Sequence, residues 1–408
     1  MDYNKLILDA ESNLKEIFAE IDKTVFNNSK KVLDAFHNAN VSETHFNTTT
    51  GYGYGDSGRD VIERVYADIF KTEGALVRNQ FISGSHALTV ALFAILRPGD
   101  VMLAISGEPY DTLKEVIGIV PNASSLKSFG VEYEQVDLVN NDFDDERIVK
   151  LIKSKKYKLI HIQRSRGYSL RESLSIEKLE RIISKIKKID DDVLIMVDNC
   201  YCELVGNVEP TEVGADLVVG SLIKNLGGGI ASNGGYIVGK EKFVSLAGER
   251  LTLPGEGKEV GPSLGANKDF LKGLYMAPSV VGSSLKLSVL ASFVLENMGY
   301  KTFPKWNEKH SDIVLMIEFN NSNKLIKFVQ GIQRGSAVDA NATAMPTDMP
   351  GYEDQIIMAS GSFTQGSSIE ISCDGPLRPP YVAYLQGGLT YEYAKLALIE
   401  ALKSLEEL

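Results

Sequence analysis

Three short runs near the middle of the chain, 158–163, 193–198 and 216–220, are largely apolar, as expected for strands covered on both faces. Strands of that kind sit inside parallel sheets, and stretches with helical spacing lie between them. Helices are expected at 58–71, 85–96, 111–119, 144–154 and 175–188, and further strands at 101–105, 132–138 and 235–238. Alternation at this period means βαβ units, hence an α/β protein on a mostly parallel, doubly wound sheet. Ligands of such sheets bind beyond the carboxyl ends of the strands. The residues just after each run are the ones to inspect.

The flanks read differently. Residues 1–38 carry apolar side chains at helical spacing (Leu6, Leu14, Ile17, Phe18, Ile21, Phe36) and predict one or two helices, followed by a Gly/Tyr/Thr-rich loop over 48–58. A Gly/Pro-rich segment, 253–277, interrupts the alternation. A long helix is expected at 282–298, short strands at 311–319, 326–330, 355–360 and 368–372, and a closing helix at 389–405. The chain of 408 residues then divides into an N-terminal arm and loop (1–57), a large domain (58–280) and a smaller C-terminal α+β domain (281–408).

Composition closes several routes. With 44% hydrophobic and 24% charged residues the chain can build an ordinary globular core. A formal net charge of −11 argues against nucleic acid as a partner, because phosphate backbones attract basic surfaces. The three cysteines, Cys200, Cys202 and Cys373, are too few for a secreted framework. The first two are spaced for neither common zinc pattern, so no metal site is expected. The N-terminus is amphipathic and acidic, unlike a signal peptide. No run of about 18 apolar residues is apparent to span a bilayer. A cytoplasmic protein without a membrane partner is expected.

Three pieces carry chemistry. Lys224 follows the apolar run ending at Ser221 and precedes Asn-Leu-Gly-Gly-Gly. A buried lysine loses basicity and becomes an amine suited to Schiff-base chemistry, although it could equally snorkel or pair with a carboxylate. Asp198 ends the run Val-Leu-Ile-Met-Val, where it could serve a ligand or cap a turn. Ser83-Gly84-Ser85-His86 opens the helix predicted at 85–96, and a small turn there points backbone N–H groups at an anion. A strand-end lysine with a strand-end aspartate suits pyridoxal phosphate, whose ring nitrogen an aspartate keeps protonated.

The order Ser-Gly-Ser, Tyr110, Asp198-Asn-x-Tyr201 and Ala215-Asp-Leu-Val-Val-Gly-Ser221-x-x-Lys224 resembles the fold-type I pyridoxal-phosphate enzymes of cysteine and methionine metabolism. The segments Thr50-Gly-Tyr-Gly-Tyr54-Gly-Asp-Ser-Gly-Arg59-Asp and Gln163-Arg-Ser-Arg-Gly-Tyr168 are closer to one branch, the methionine γ-lyase family proteins also called aluminium resistance proteins. The resemblance implies a fold-type I transferase architecture, with a mostly parallel seven-stranded sheet flanked by helices and a smaller C-terminal α+β domain. It implies that Lys224 carries pyridoxal 5'-phosphate and moves protons, that Asp198 binds the ring nitrogen, and that Tyr110 stacks on the ring and assists the leaving group. Ser83, Gly84, Ser85 and Ser221 would hold the phosphate, with His86 and Tyr201 beside the ring. Tyr54 and Arg59 would reach the phosphate of a neighbouring subunit. Arg378 would receive the substrate carboxylate; Gln163, Arg164 and Arg166 follow a central strand and so point at the site, where one of the arginines could instead pair with a carboxylate.

This chain departs from the lyase pattern at Ile223, where a hydroxyl residue is usual, and in the glycine run after Lys224. The resemblance implies a carbon–sulfur lyase acting on a sulfur-containing amino acid by β or γ elimination, as a homo-oligomer, in the form of a dimer of dimers. An aminotransferase or aldolase using the same cofactor, or a non-catalytic stress or metal-tolerance protein, are the alternatives. Against the acidic background, an electropositive pocket built from Arg378, the helix start at Ser85 and the 163–166 segment is expected.

Overall fold

The computed structural model describes residues 2–407. Seven strands form the central sheet: β1 (Gly74–Arg78), β2 (Val101–Ala104), β3 (Glu132–Gln135), β4 (Leu159–Gln163), β5 (Leu194–Asp198), β6 (Leu217–Ser221) and β7 (Gly235–Gly239). Their order is β1-β7-β6-β5-β4-β2-β3, with β7 alone antiparallel to its neighbours. The period of two along each strand explains why apolar residues follow one another in these runs. Ile160, Ile162, Ile195, Val197 and Val218 enter one core, while Leu159, Leu194, Met196, Leu217 and Val219 enter the other. Each such side chain, taken fully from water, contributes about 1.5–3 kcal/mol.

The covering helices fold for local reasons. Gly84–Ile95 starts at Ser83, whose hydroxyl accepts from the His86 N–H at 3.1 Å. Ile176–Lys187 starts at Ser175 in the same way and buries Leu179, Ile182, Ile183 and Ile186 on one face. Five strands make a second, antiparallel sheet: β8 (Lys301–Phe303), β9 (Val314–Glu318), β10 (Ile356–Ala359), β11 (Ser372–Pro376) and β12 (Val382–Gln386), in the order β10-β11-β12-β9-β8. The helices Ser322–Arg334 and Tyr391–Glu406 pack on it.

Several elements differ from the sequence reading. The stretch 326–330 is part of the helix Ser322–Arg334, whose buried Leu325, Phe328, Val329 and Ile332 repeat at helical spacing. The Gly/Pro-rich segment is interrupted early by the helix Ala266–Asn297, which carries Pro278 inside it. That helix is long and apolar enough to cross a membrane by length and composition. It lies within the fold instead, with 78% of its apolar window buried between the two sheets' cores.

His161, in the middle of β4, is fully buried, and neither ring nitrogen has a partner. Burial pulls it from 6.5 down to about 4. The unfolded chain therefore takes the proton first, so this contribution is whole above pH ~6.5 and is lost as pH falls toward ~4. Thermal unfolding midpoints measured between pH 7.5 and 5 should fall along that limb. His161→Leu should make the limb shallower.

Candidate active site

β4, β5 and β6 end side by side on Gln163, Asp198 and Ser221, with Gln163 paired in register to Asp198. Lys224 follows three residues after β6. These ends, the start of the helix Gly84–Ile95 and one face of the second sheet enclose a cavity of about 310 Å³. Parallel pairing thus gathers side chains distant in sequence at one edge.

The Lys224 amine opens onto this cavity and lies 3.9 Å from the centre of the Tyr201 ring, over its face. Burial alone would push its pKa down. Its acidic neighbours, Cys200, Tyr201, Asp198 and Tyr110, act in the opposite direction and raise it, and of these Asp198 is the carboxylate. The direction is thus opposite to the loss of basicity that burial alone would give. Asp198 is buried, and its Oδ1 accepts from the Cys200 N–H at 3.1 Å. Burial raises its pKa, and Lys224 opposes that rise. Tyr110 shares a hydrogen bond of 2.8 Å with the Ser85 hydroxyl, and its backbone N–H donates to Gln163 Oε1 at 2.9 Å. Burial, then the Asp198 charge, pushes the phenol up, so Tyr110 stays protonated and available as a donor.

Ser221 Oγ is buried without a partner. Beside it, a Cβ on Gly84 would come within 3.0 Å of Ser221 Cβ and 3.5 Å of Cys200 Sγ, so only glycine fits there without displacement. An orphan hydroxyl costs about 1–3 kcal/mol unless something bonds it. Next to a helix N-terminus, that something is most naturally an anion. The residues present fit pyridoxal phosphate: an orphan hydroxyl and helix start for the phosphate, a buried carboxylate for the ring nitrogen, and an amine for covalent attachment.

Other residues singled out from the sequence lie elsewhere. Arg378 is about half-exposed, pairs with Asp354 at 2.9 Å and stands outside this cavity. Arg164 is buried and donates to Asn199 Oδ1 at 2.6 Å and to the Leu174 carbonyl. Arg166 donates to the Phe303 carbonyl and pairs with Asp312 at 3.8 Å. No arginine lines the cavity among the described residues; its charged groups are Lys224 against Asp111, Asp198 and Asp374. The electropositive pocket expected from the sequence is therefore not built from arginines, because their guanidiniums are engaged by carbonyls and carboxylates of the scaffold. His86 sits outside as well, with Nδ1 accepting from the Ile82 N–H at 3.2 Å. Arg59 is buried and donates to the Gly53, Gly261 and Glu259 carbonyls, tying the 50–56 loop down. Tyr54 projects from that loop, exposed and against Tyr52.

The cavity also holds residues to which the sequence assigned no role: Tyr168, Tyr352, Asp374, Tyr384 and Gln386. Asp374 stands four residues before Arg378, the residue to which the sequence pointed. Cys200 and Cys202 are buried, and burial pushes both thiols up, leaving them unreactive.

A family model described as methionine gamma-lyase matches residues 3–406. The uncharacterized protein YnbB of Bacillus subtilis is 47% identical over 403 residues, covering 98% of this chain and 96% of that one. The crystal structure of a carbon–sulfur lyase involved in aluminium resistance from Clostridium novyi superposes with a TM-score of 0.94 at 47% identity, over 98% of this chain and 95% of that one. The pyridoxal-5'-phosphate-dependent protein YhfS of Escherichia coli shares the fold, with a TM-score of 0.62 at 18% identity over 95% of this chain and 97% of that one.

Proposed function

The chain belongs to the methionine γ-lyase family, and from that premise we propose that it is a pyridoxal-phosphate-dependent carbon–sulfur lyase acting on a sulfur-containing amino acid. The observation that carries this reading is the joint position of Lys224 and Asp198 in one cavity with the unpartnered Ser221 hydroxyl. When bound, the cofactor supplies an electron-accepting ring that stabilises negative charge at the substrate's Cα. Asp198 keeps positive charge on the ring nitrogen, a role its burial strengthens by excluding competing water. Lys224 would hold the cofactor through its amine and, as the base beside the substrate, would take the Cα proton and return a proton later. Tyr110, kept protonated, donates toward the departing sulfur. Ser221 with the N–H groups at Gly84 and Ser85 holds the phosphate, and Tyr54 of a second copy completes that contact. Arg378 can join the substrate carboxylate only by leaving Asp354.

The purified protein should be yellow, and borohydride should fix the cofactor on the peptide containing Lys224. Methionine, cystathionine, cysteine and homocysteine are then screened for keto-acid or thiol release. At least one should be cleaved. If all four leave the cofactor absorbance unchanged, or reduction lands on another lysine, the reading fails.

A further inference from the structure

The half of the cavity formed by the second sheet has no part in holding the cofactor, yet it is built for a charge. Asp374 sits near the middle of β11, paired in register with Tyr384 on β12 and Met358 on β10, so the three share the face turned to the cavity. It is 7% exposed. Its Oδ2 accepts from Gln386 Nε2 at 3.3 Å, and its Oδ1 has no partner. Around it three tyrosines form a cluster: the Tyr168 ring centre lies 5.6 Å from that of Tyr352 and 5.1 Å from that of Tyr384.

A buried carboxylate met only by neutral donors, Gln386 and the Tyr168 hydroxyl, is expensive, and among the described residues no cation forms an ion pair with it, Lys224 acting only across the cavity. Aromatic rings around a carboxylate make a receptor for a positive group, because the ring faces and the anion attract the same charge. The cavity already uses one such pairing, with the Lys224 amine over Tyr201. Its remaining charged groups, Asp111 and Asp198, are also carboxylates. Burial pushes Asp374 up to about 7, and the Tyr168 hydroxyl and the Lys224 charge only partly oppose that rise.

We infer that Asp374 and the Tyr168–Tyr352–Tyr384 cluster bind an ammonium group at the far end of the substrate, so that this enzyme takes amino acids with a cationic side-chain terminus. The inference rests on the lyase reading for the reacting end and adds the substrate's distal chemistry. Asp374 is the specificity-determining residue and the tyrosines exclude water from the pair.

Ornithine, norleucine and glutamate share one side-chain length, end in a cation, a methyl group and an anion, and carry no sulfur leaving group. Calorimetric titration of the purified protein with each should give a dissociation constant for ornithine at least tenfold below that for norleucine, with glutamate weakest. In Asp374→Asn the ornithine and norleucine values should come within twofold. Tyr352→Leu, on a partly exposed loop residue that no strand depends on, should weaken ornithine about fivefold and leave norleucine within twofold. Norleucine or glutamate binding as tightly as ornithine would overturn the inference, as would an unchanged ratio in either variant. Calorimetry reads the cavity whether or not the protein is yellow, so a missing cofactor counts against the lyase reading alone.

Discussion

Lys224→Ala should fold, take up no borohydride-fixable cofactor, and eliminate sulfur at least about 10⁴-fold more slowly than the parent chain. Two losses combine in that figure. In the proposed reaction the amine would be both the covalent attachment point and the base at Cα, and positioned acid–base groups alone are worth about 10²–10⁴ in rate. Nothing nearby can substitute, since Lys224 is the single cationic side chain lining the cavity among the described residues. The fold should survive. Removing a buried cation leaves a nearby carboxylate less well compensated, but no ion pair joins Lys224 to Asp198, and Asp198, already pushed up by burial, can take a proton instead of standing as a bare charge. Added ethylamine should restore part of the turnover, a response that a purely structural lysine would not give. Steady-state turnover and reductive trapping check both halves. Activity above a tenth of the parent's would remove Lys224 from the chemistry.

What was legible in the sequence follows from how each residue is placed. Asp198, Ser221 and Lys224 could be found because parallel strands with both faces covered read as continuous apolar runs, and their last residues face the ligand edge. β1 escaped for the opposite reason. It begins at Gly74 and ends on Arg78, a charged residue buried against Glu63, so its composition does not read as a strand. The Leu-Ile-Lys-Phe-Val run at 325–329 is aliphatic and aromatic enough to suggest a strand, yet Asn321 caps it as a helix by accepting from the Lys324 N–H at 3.1 Å. The tyrosine cluster and Asp374 were out of reach because their convergence depends on how the second sheet docks, which no local spacing encodes. Arg164 and Arg166 were misleading in a different way. They do follow a central strand, but Asn199, Asp312 and backbone carbonyls take up their guanidiniums.

The glycine run after Lys224 also had no chemical reading, and the fold supplies one that makes a large prediction. The helix Ala266–Asn297 crosses that turn with backbone against backbone: a Cβ on Gly273 would fall 2.3 Å from the Gly227 carbonyl oxygen and 2.9 Å from its carbon. Both partners are main chain, so neither can rotate away. Gly273→Val adds three carbons at this contact and must push the helix or the turn outward. Overpacking against mobile side chains typically costs about 1–3 kcal/mol. With backbone on both sides the loss should reach about 4 kcal/mol or more, the range reserved for named structural faults. The turn begins one residue after Lys224, so the milder Gly273→Ala should fold yet hold less cofactor and turn over at least tenfold more slowly. Gly206 is the control, because a Cβ there meets nothing within 4 Å. Gly206→Ala should unfold within about 1 kcal/mol of the parent chain. Urea unfolding of the three variants, with cofactor absorbance followed in parallel, tests the coupling. If Gly273→Val unfolds at the same denaturant concentration as Gly206→Ala, the backbone contact does not hold the lysine turn in place.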